Sequence, residues 1–222
     1  MIGDEPLQWV AKAALFCYNV RTYPALQKCA TSEVRLKVLG IMGSPRMKGN
    51  TDLLLDEALK GAKSQGAEVE KIIVDRLSIA PCREYYSCLK DGNCVIRDDM
   101  DDLYPKLFSY DVVIIASPIF FYALSAQAKA LIDRCQALWA RINVLHQQPA
   151  PGRKGALIAV GATRGQKLFD GAILTAKYFF KAIGVSYADK LLVRGVDKRG
   201  EIKEHPEALA EAFELGKRLA QK

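Results

Sequence analysis

The stretch "LKVLGIMGSPRMKGNTDLLLDEALKGAKSQG", residues 36–66, decides the fold. Its first seven residues, LKVLGIM, are a short apolar run that reads as a buried strand, and Gly43-Ser44-Pro45 ends it. From Asn50 onward the apolar residues are Leu54, Leu55, Ala58, Leu59 and Ala62, one face of a helix, with Gly66 as its stop. The loop between them is GSPRMKGNT (43–51). A helix start presents free N–H groups and a partial positive charge, so an anion is favoured there. Ser44, Asn50 and Thr51 add side-chain donors, Arg46 and Lys48 add charge to balance a phosphate dianion, and Gly43 and Gly49 permit close backbone approach. The spacing excludes two competitors. Gly43 and Gly49 stand one residue too far apart for a G-x-x-x-x-G-K-[ST] loop, with Asn50 where the lysine belongs, and G-x-G-x-x-G is absent. The alternative is a turn that caps the helix and binds nothing.

Outward from this unit the alternation repeats. Strands are predicted over 68–75, 111–117, 156–162 and 185–193, and helices over 98–110, 125–141, 167–183 and 205–222. Ser125 is the expected N-cap of the third helix, with Ala128, Leu131, Ile132, Cys135 and Leu138 inward. Strands alternating with helices imply a parallel sheet covered on both faces. Right-handed crossovers make the flavodoxin-like order 2-1-3-4-5 the economical arrangement of five strands in a three-layer α/β/α sandwich. Its ligand crevice lies at the carboxyl ends of strands one and three. This domain is expected over 36–222. Residues 1–35 are expected to form a helical arm, with Trp9, Ala13, Phe16, Cys17 and Val20 along one face of EPLQWVAKAALFCYNV.

Two further loops should meet in that crevice. SPIFFYALSAQ (117–127) places Ser117, Pro118, Ile119, Phe120, Phe121 and Tyr122 at a strand end, where solvent would otherwise be expected. A flat aromatic ring would cover such side chains; a core or dimer contact is the alternative. GATRGQK (161–167) offers tight turns at Gly161 and Gly165, with Thr163 and Arg164 to meet ring carbonyl and nitrogen atoms. The three loops together describe a site for a planar ring bearing one phosphate, namely FMN.

Charge and composition narrow the class. The formal net charge is +7, which suits a bound anion, an acidic protein partner or nucleic acid. Lysines and arginines are dispersed, with no basic block interleaved with aromatics, so nucleic acid is not expected. The opening MIGDEPLQWV carries acids where a secretory signal would be basic, and no apolar run is long enough to span a bilayer. A cytoplasmic location is therefore expected. The six cysteines then read as thiols, ligands or redox groups in preference to structural disulfides.

GSPRMKGNT, SPIFFYALSAQAKALIDR and the intervening PC…C…GNC…DDM together resemble the NADPH-dependent FMN reductase family, and within it the iron–sulfur flavoprotein branch. The similarity covers about residues 36–222. It implies FMN held at its phosphate by Ser44, Arg46, Asn50 and Thr51, with Lys48 and Gly49 in the same loop. Around the ring it implies Pro118 to Phe121 after Ser117, and the Gly161–Gly165 loop including Thr163 and Arg164. It also implies homodimers or homotetramers and no side-chain catalyst, because the flavin carries the chemistry. Electrons would pass from NAD(P)H to a small-molecule or protein acceptor: a quinone, a flavin, a metal ion, or another partner. The rival is an electron carrier that takes single electrons from a ferredoxin-like donor. A third reading is a scaffold that has lost FMN and binds only protein.

The cysteines test that rival. PCREYYSCLKDGNC (81–94) holds Cys82, Cys88 and Cys94. Iron–sulfur flavoproteins carry a compact C-x-x-C-x-x-C motif with a fourth cysteine about five residues on. Against it these three match the first, third and fourth ligands, Tyr85 stands at the second, and Glu84 replaces the usual glycine. A [4Fe–4S] cluster normally takes four thiolates, and a phenol is a poor substitute at neutral pH. The missing thiolate favours a relic loop without a cluster, in which Tyr85 and Tyr86 would fill the vacated space. A three-cysteine cluster completed by Tyr85, Glu84, water or an outside cysteine is the second reading. A zinc site or redox disulfide is the third, although the spacings fit zinc motifs badly. Cys17 and Cys29 could supply a fourth thiolate only if the arm folds over this loop, and Cys135 reads as core.

Overall fold

The computed structural model describes residues 35–221. The proposed helical arm, with Cys17 and Cys29, lies outside the described residues. In chain order the elements are β1 (Lys37–Met42), α1 (Asn50–Ser64), β2 (Glu68–Ile73), a single-turn α2 (Cys88–Asp91), α3 (Met100–Ser109) and β3 (Val112–Phe120). There follow β4 (Ala123–Leu124), α4 (Ala126–Arg134), α5 (Gln136–Asn143), β5 (Lys154–Gly161), α6 (Asp170–Ala182), β6 (Ser186–Arg194) and α7 (Pro206–Ala220).

The sheet runs β2-β1-β3-β5-β6 with every neighbour parallel, the flavodoxin-like order of the sequence reading. A sixth strand is added: the two-residue β4 folds back antiparallel on the end of β3, pairing Ile119 with Leu124 and Phe120 with Ala123.

Both faces of the central strands are buried, and their period of two sorts the core into halves. Val38, Met42, Ile114, Ile158 and Val160 pack under α1 and α7. Leu39, Ile41, Val113, Ile115 and Leu157 pack under α3, α4, α5 and α6. α1 and α7 touch backbone to backbone: a Cβ on Gly216 would stand 1.8 Å from the Ala58 carbonyl oxygen, so a side chain there would push the helices apart.

Two elements differ from the sequence reading. The helix read over 125–141 is two helices that meet at Cys135, where ψ is 0°. β3 continues three residues past Ser117, through a proline. β1 ends opposite Ala116, so no neighbour on that side asks Pro118 for an N–H. On the other side Pro118 lies opposite Val160 of β5, the last pair of that ladder.

Candidate functional site

The carboxyl ends of β1, β3 and β5 bring three of the predicted segments to one recess. Ser44, Arg46, Gly49, Asn50 and Thr51 line it from the first loop, and Pro118, Ile119 and Phe120 from the end of β3. Its volume is about 80 Å³, well below the roughly 300–1,000 Å³ of pockets that bury a whole cofactor-sized ligand. A phosphate-sized group suits that space; a tricyclic ring must lie outside it, over the apolar ledge.

The first turn of α1 is free to bind an anion. Gly49 occupies the N-cap and supplies no side-chain bond. Its carbonyl accepts the Leu53 N–H, which leaves the N–H groups of Asn50, Thr51 and Asp52 without an acceptor among the described residues. Asp52 would repel an anion, but it is turned away: its carboxylate accepts the Lys48 N–H at 2.7 Å and pairs with Lys71. Ser44 is buried, and its hydroxyl accepts the Arg46 N–H at 3.1 Å, which fixes the turn. Gly43 is needed because a Cβ there would stand 2.8 Å from that of Ala128 and 3.1 Å from the Ala116 carbonyl oxygen. The Ser125 hydroxyl caps α4 through the Ala128 N–H and donates to the Gly43 carbonyl, tying the first loop to α4.

One wall was not legible in the sequence. The segment after β6 folds back over the first loop, and Val196, Asp197 and Arg199 line the recess. The Arg199 guanidinium donates to the Met47 carbonyl, and that of Arg46 to the Asp197 carbonyl at 3.4 Å. The Asn50 amide spans both sides, donating to the Lys198 carbonyl at 2.9 Å and accepting the Ile202 N–H at 3.1 Å. Asn50 thus spends its side chain holding this wall and has its backbone N–H left for a ligand.

The other predicted residues stand around the recess. Lys48 is exposed, at φ +54°, outside its lining. Ser117 is fully buried and its hydroxyl accepts the Ser125 N–H. Phe120 is 45% exposed, while Phe121, at φ +50°, projects wholly into solvent. Gly161 is buried, and its carbonyl accepts the Gly195 N–H at 2.8 Å, joining the third loop to the post-β6 wall. Thr163 is exposed, Arg164 lies against Gly195, and Gly165 faces the Tyr122 hydroxyl.

A second and larger cavity of about 630 Å³ is lined by Cys82, Cys88 and Cys94. Cys88 is buried at the start of α2, and burial with Cys94 nearby pushes its thiol up from the ordinary value. Arg134 closes the base of this loop. Its side chain is fully buried and donates to the Ala80 carbonyl at 2.9 Å, the Ile96 carbonyl at 3.0 Å and the Asp98 carboxylate at 2.5 Å. Burial opposes ionisation of Asp98, but Arg134 and the Ala80 and Met100 N–H groups hold its carboxyl below the usual range. Arg141 fixes the far end, donating to the Gly92 carbonyl at 2.8 Å and to the Asn93 side chain at 3.0 Å. Asp98 and Asp99 also accept the Ala80 and Ser78 N–H groups, across the loop.

Residues 36–174 match the model of the NADPH-dependent FMN reductase family. An iron–sulfur flavoprotein of Methanocaldococcus jannaschii is 38% identical over 129 residues, which is 58% of this chain and 64% of that protein. An iron–sulfur flavoprotein of Archaeoglobus fulgidus is 39% identical over 131 residues, 59% of this chain and 57% of that one. The chain thus matches less than two thirds of the length of either. A solved structure titled NAD(P)H:quinone oxidoreductase, from Methanothermobacter marburgensis, superposes over 85% of this chain and 98% of its own, with a TM-score of 0.64 at 13% identity. That likeness is one of fold.

Proposed function

The chain belongs to the NADPH-dependent FMN reductase family, and from that premise we propose that it is an FMN-dependent oxidoreductase. Electrons would pass from NAD(P)H to a quinone, a free flavin, a metal ion or another small-molecule or protein acceptor. The observation that carries this reading is the uncapped start of α1, flanked by Arg46 and Arg199 and opening beside the ledge of half-buried Ile119 and exposed Phe120. A dianionic tail and an apolar ring are the two chemistries these surfaces satisfy.

In this reading Ser44, Arg46, Gly49, Asn50 and Thr51 hold the phosphate, with Lys48 adding long-range charge. Ser117 and Pro118 shape the strand end, Ile119, Phe120 and Phe121 support the ring, and Gly161, Thr163, Arg164 and Gly165 meet its polar edge. When bound, FMN supplies hydride acceptance and electron release. The protein's own contribution is to orient the ring, to stabilise negative charge at its edge through Arg164 and loop N–H groups, and to leave one face open for nicotinamide. No side chain is required as nucleophile or general base.

Assembly as a homodimer or homotetramer belongs to the same proposal. Phe121, Tyr122, Leu174 and Tyr178 are each more than half exposed, more apolar area than a lone subunit needs to show water. Among the described residues no helix is long and apolar enough to cross a membrane.

A second reading, an electron carrier served by a ferredoxin-like donor, is favoured by the three thiols around one cavity and by the similarity to two iron–sulfur flavoproteins. The +7 charge suits an acidic donor. One experiment separates them. The protein is loaded with FMN without air and mixed with NADPH, and separately with a reduced ferredoxin. Rapid bleaching of flavin absorption by NADPH supports the oxidoreductase; bleaching by ferredoxin alone supports the carrier. Absence of FMN binding refutes both.

A further inference from the structure

We infer that residues 197–201 form a strap over the phosphate recess, latched by the Asn50 side chain, which admits a terminal phosphate monoester and shuts out the phosphodiester of FAD. This rests on the flavin reading and adds to it what selects between two flavins.

Three observations carry it. The first is the seam between the strap and the first loop, which side chains close. The Asn50 amide donates to the Lys198 carbonyl at 2.9 Å and accepts the Ile202 N–H at 3.1 Å, so one side chain grips the strap at two points. The Arg199 guanidinium donates to the Met47 carbonyl, and that of Arg46 to the Asp197 carbonyl at 3.4 Å. A monoester ends at its phosphate and fits behind this seam. The phosphate of FAD continues into a second phosphate and an adenosine, and a recess of about 80 Å³ has no room for them.

The second is charge. In the lining of the recess Arg46 and Arg199 stand against one acid, Asp197. The N–H groups of Asn50, Thr51 and Asp52 have no acceptor among the described residues. A terminal phosphate with two negative charges matches that excess better than a diester phosphate with one.

The third is how the strap is built. Val196 and Ile202 are buried and anchor its ends, while Asp197, Lys198 and Arg199 between them are exposed. The Glu201 carboxylate accepts the Asp197 N–H at 2.8 Å and the Lys198 N–H at 2.7 Å, which holds the strap's shape from within. Gly195 and Gly200 lie at φ +71° and +82°, and a Cβ on Gly200 would meet nothing within 4 Å, so glycine there serves the backbone and not the packing. The hydrogen bonds that tie the strap to the first loop all involve side chains, so it can open without breaking the sheet or α1. Asn50 is thus a positioning residue as well: its backbone N–H faces the ligand, and its side chain acts through the strap.

The test titrates FMN, FAD and riboflavin into the flavin-depleted full chain and follows fluorescence quenching. FMN is expected to bind at least about a hundredfold tighter than FAD, and FAD no tighter than riboflavin. Asn50→Ala keeps the backbone N–H and releases the strap. It is expected to raise FAD affinity about tenfold while lowering that for FMN and leaving riboflavin unchanged; a merely structural loss would lower all three. A second measurement needs no variant. Trypsin cleavage after Lys198 and Arg199 of the unaltered chain should slow about tenfold under saturating FMN, and not under riboflavin. FAD binding as tightly as FMN, a folded Asn50→Ala chain that gains no FAD affinity, or equal protection by FMN and riboflavin would each overturn the inference while leaving the flavin reading intact. Failure of FMN to bind at all would overturn both.

Discussion

Arg199→Ala is expected to weaken FMN binding while leaving riboflavin binding almost unchanged. Arg199 lines the recess at the start of α1, its guanidinium held in place by the Met47 carbonyl. A hydrogen bond between charged groups contributes about 1.5–3 kcal/mol. Arg199 is exposed, so solvent screening reduces that range to about 1–2 kcal/mol. At about 1.4 kcal/mol per factor of ten, FMN affinity should fall about five- to thirtyfold. Riboflavin carries the same ring without the phosphate, so its affinity should move by less than about twofold. The assay is fluorescence quenching of each flavin titrated into flavin-depleted protein, at low and high salt. Added salt should shrink the FMN effect. Equal losses for both flavins would mean that Arg199 supports the fold or the ring and not the phosphate. No loss for either would remove the post-β6 segment from the site.

Other substitutions test the supports of the same account. Gly43→Ala forces a Cβ to 2.8 Å from that of Ala128, with strand backbone on the other side, and should cost about 1–3 kcal/mol in urea unfolding. Asp98→Asn leaves the buried Arg134 unpaired and should cost about 3–5 kcal/mol near neutral pH. Because the folded carboxyl of Asp98 lies below its ordinary value, its contribution is fully present above about pH 3.9 and is lost as pH falls through the folded value. The melting-temperature gap between unaltered protein and variant should therefore be constant above that pH and narrow below it; a gap that widens in acid would refute the pairing. Phe121→Asp, which replaces a fully exposed aromatic, should lower the oligomeric state in sedimentation without reducing the melting temperature of the subunit.

The α1 unit could be read ahead of the structure because its signals are local. Leu54, Leu55, Ala58, Leu59 and Ala62 are all buried, and the strand before them alternates between the two halves of the core. The strand order followed from handedness and parallel pairing, which the alternation of elements already implies. What escaped is non-local. Pro118 looks like a strand terminator, yet β1 has already ended beside it, and no local pattern reports where a neighbour stops. The break at Cys135 preserves the inward face, with Leu131 and Leu138 both buried, so periodicity does not register it. Arg199 enters the recess from about 150 residues away, and its only sequence signal is its place in a loop after the last strand, on the same edge as the other crevice loops. The pairing of Asp98 leaves no local trace, because its partner, Arg134, is 36 residues downstream.

The most direct measurement is a crystal structure of the protein grown with excess FMN. The account predicts a phosphate against the first-turn N–H groups of α1, within reach of Arg46 and Arg199, and a ring lying on Ile119 and Phe120. FMN bound elsewhere, or that recess closed by the protein's own side chains while FMN is present, would contradict it.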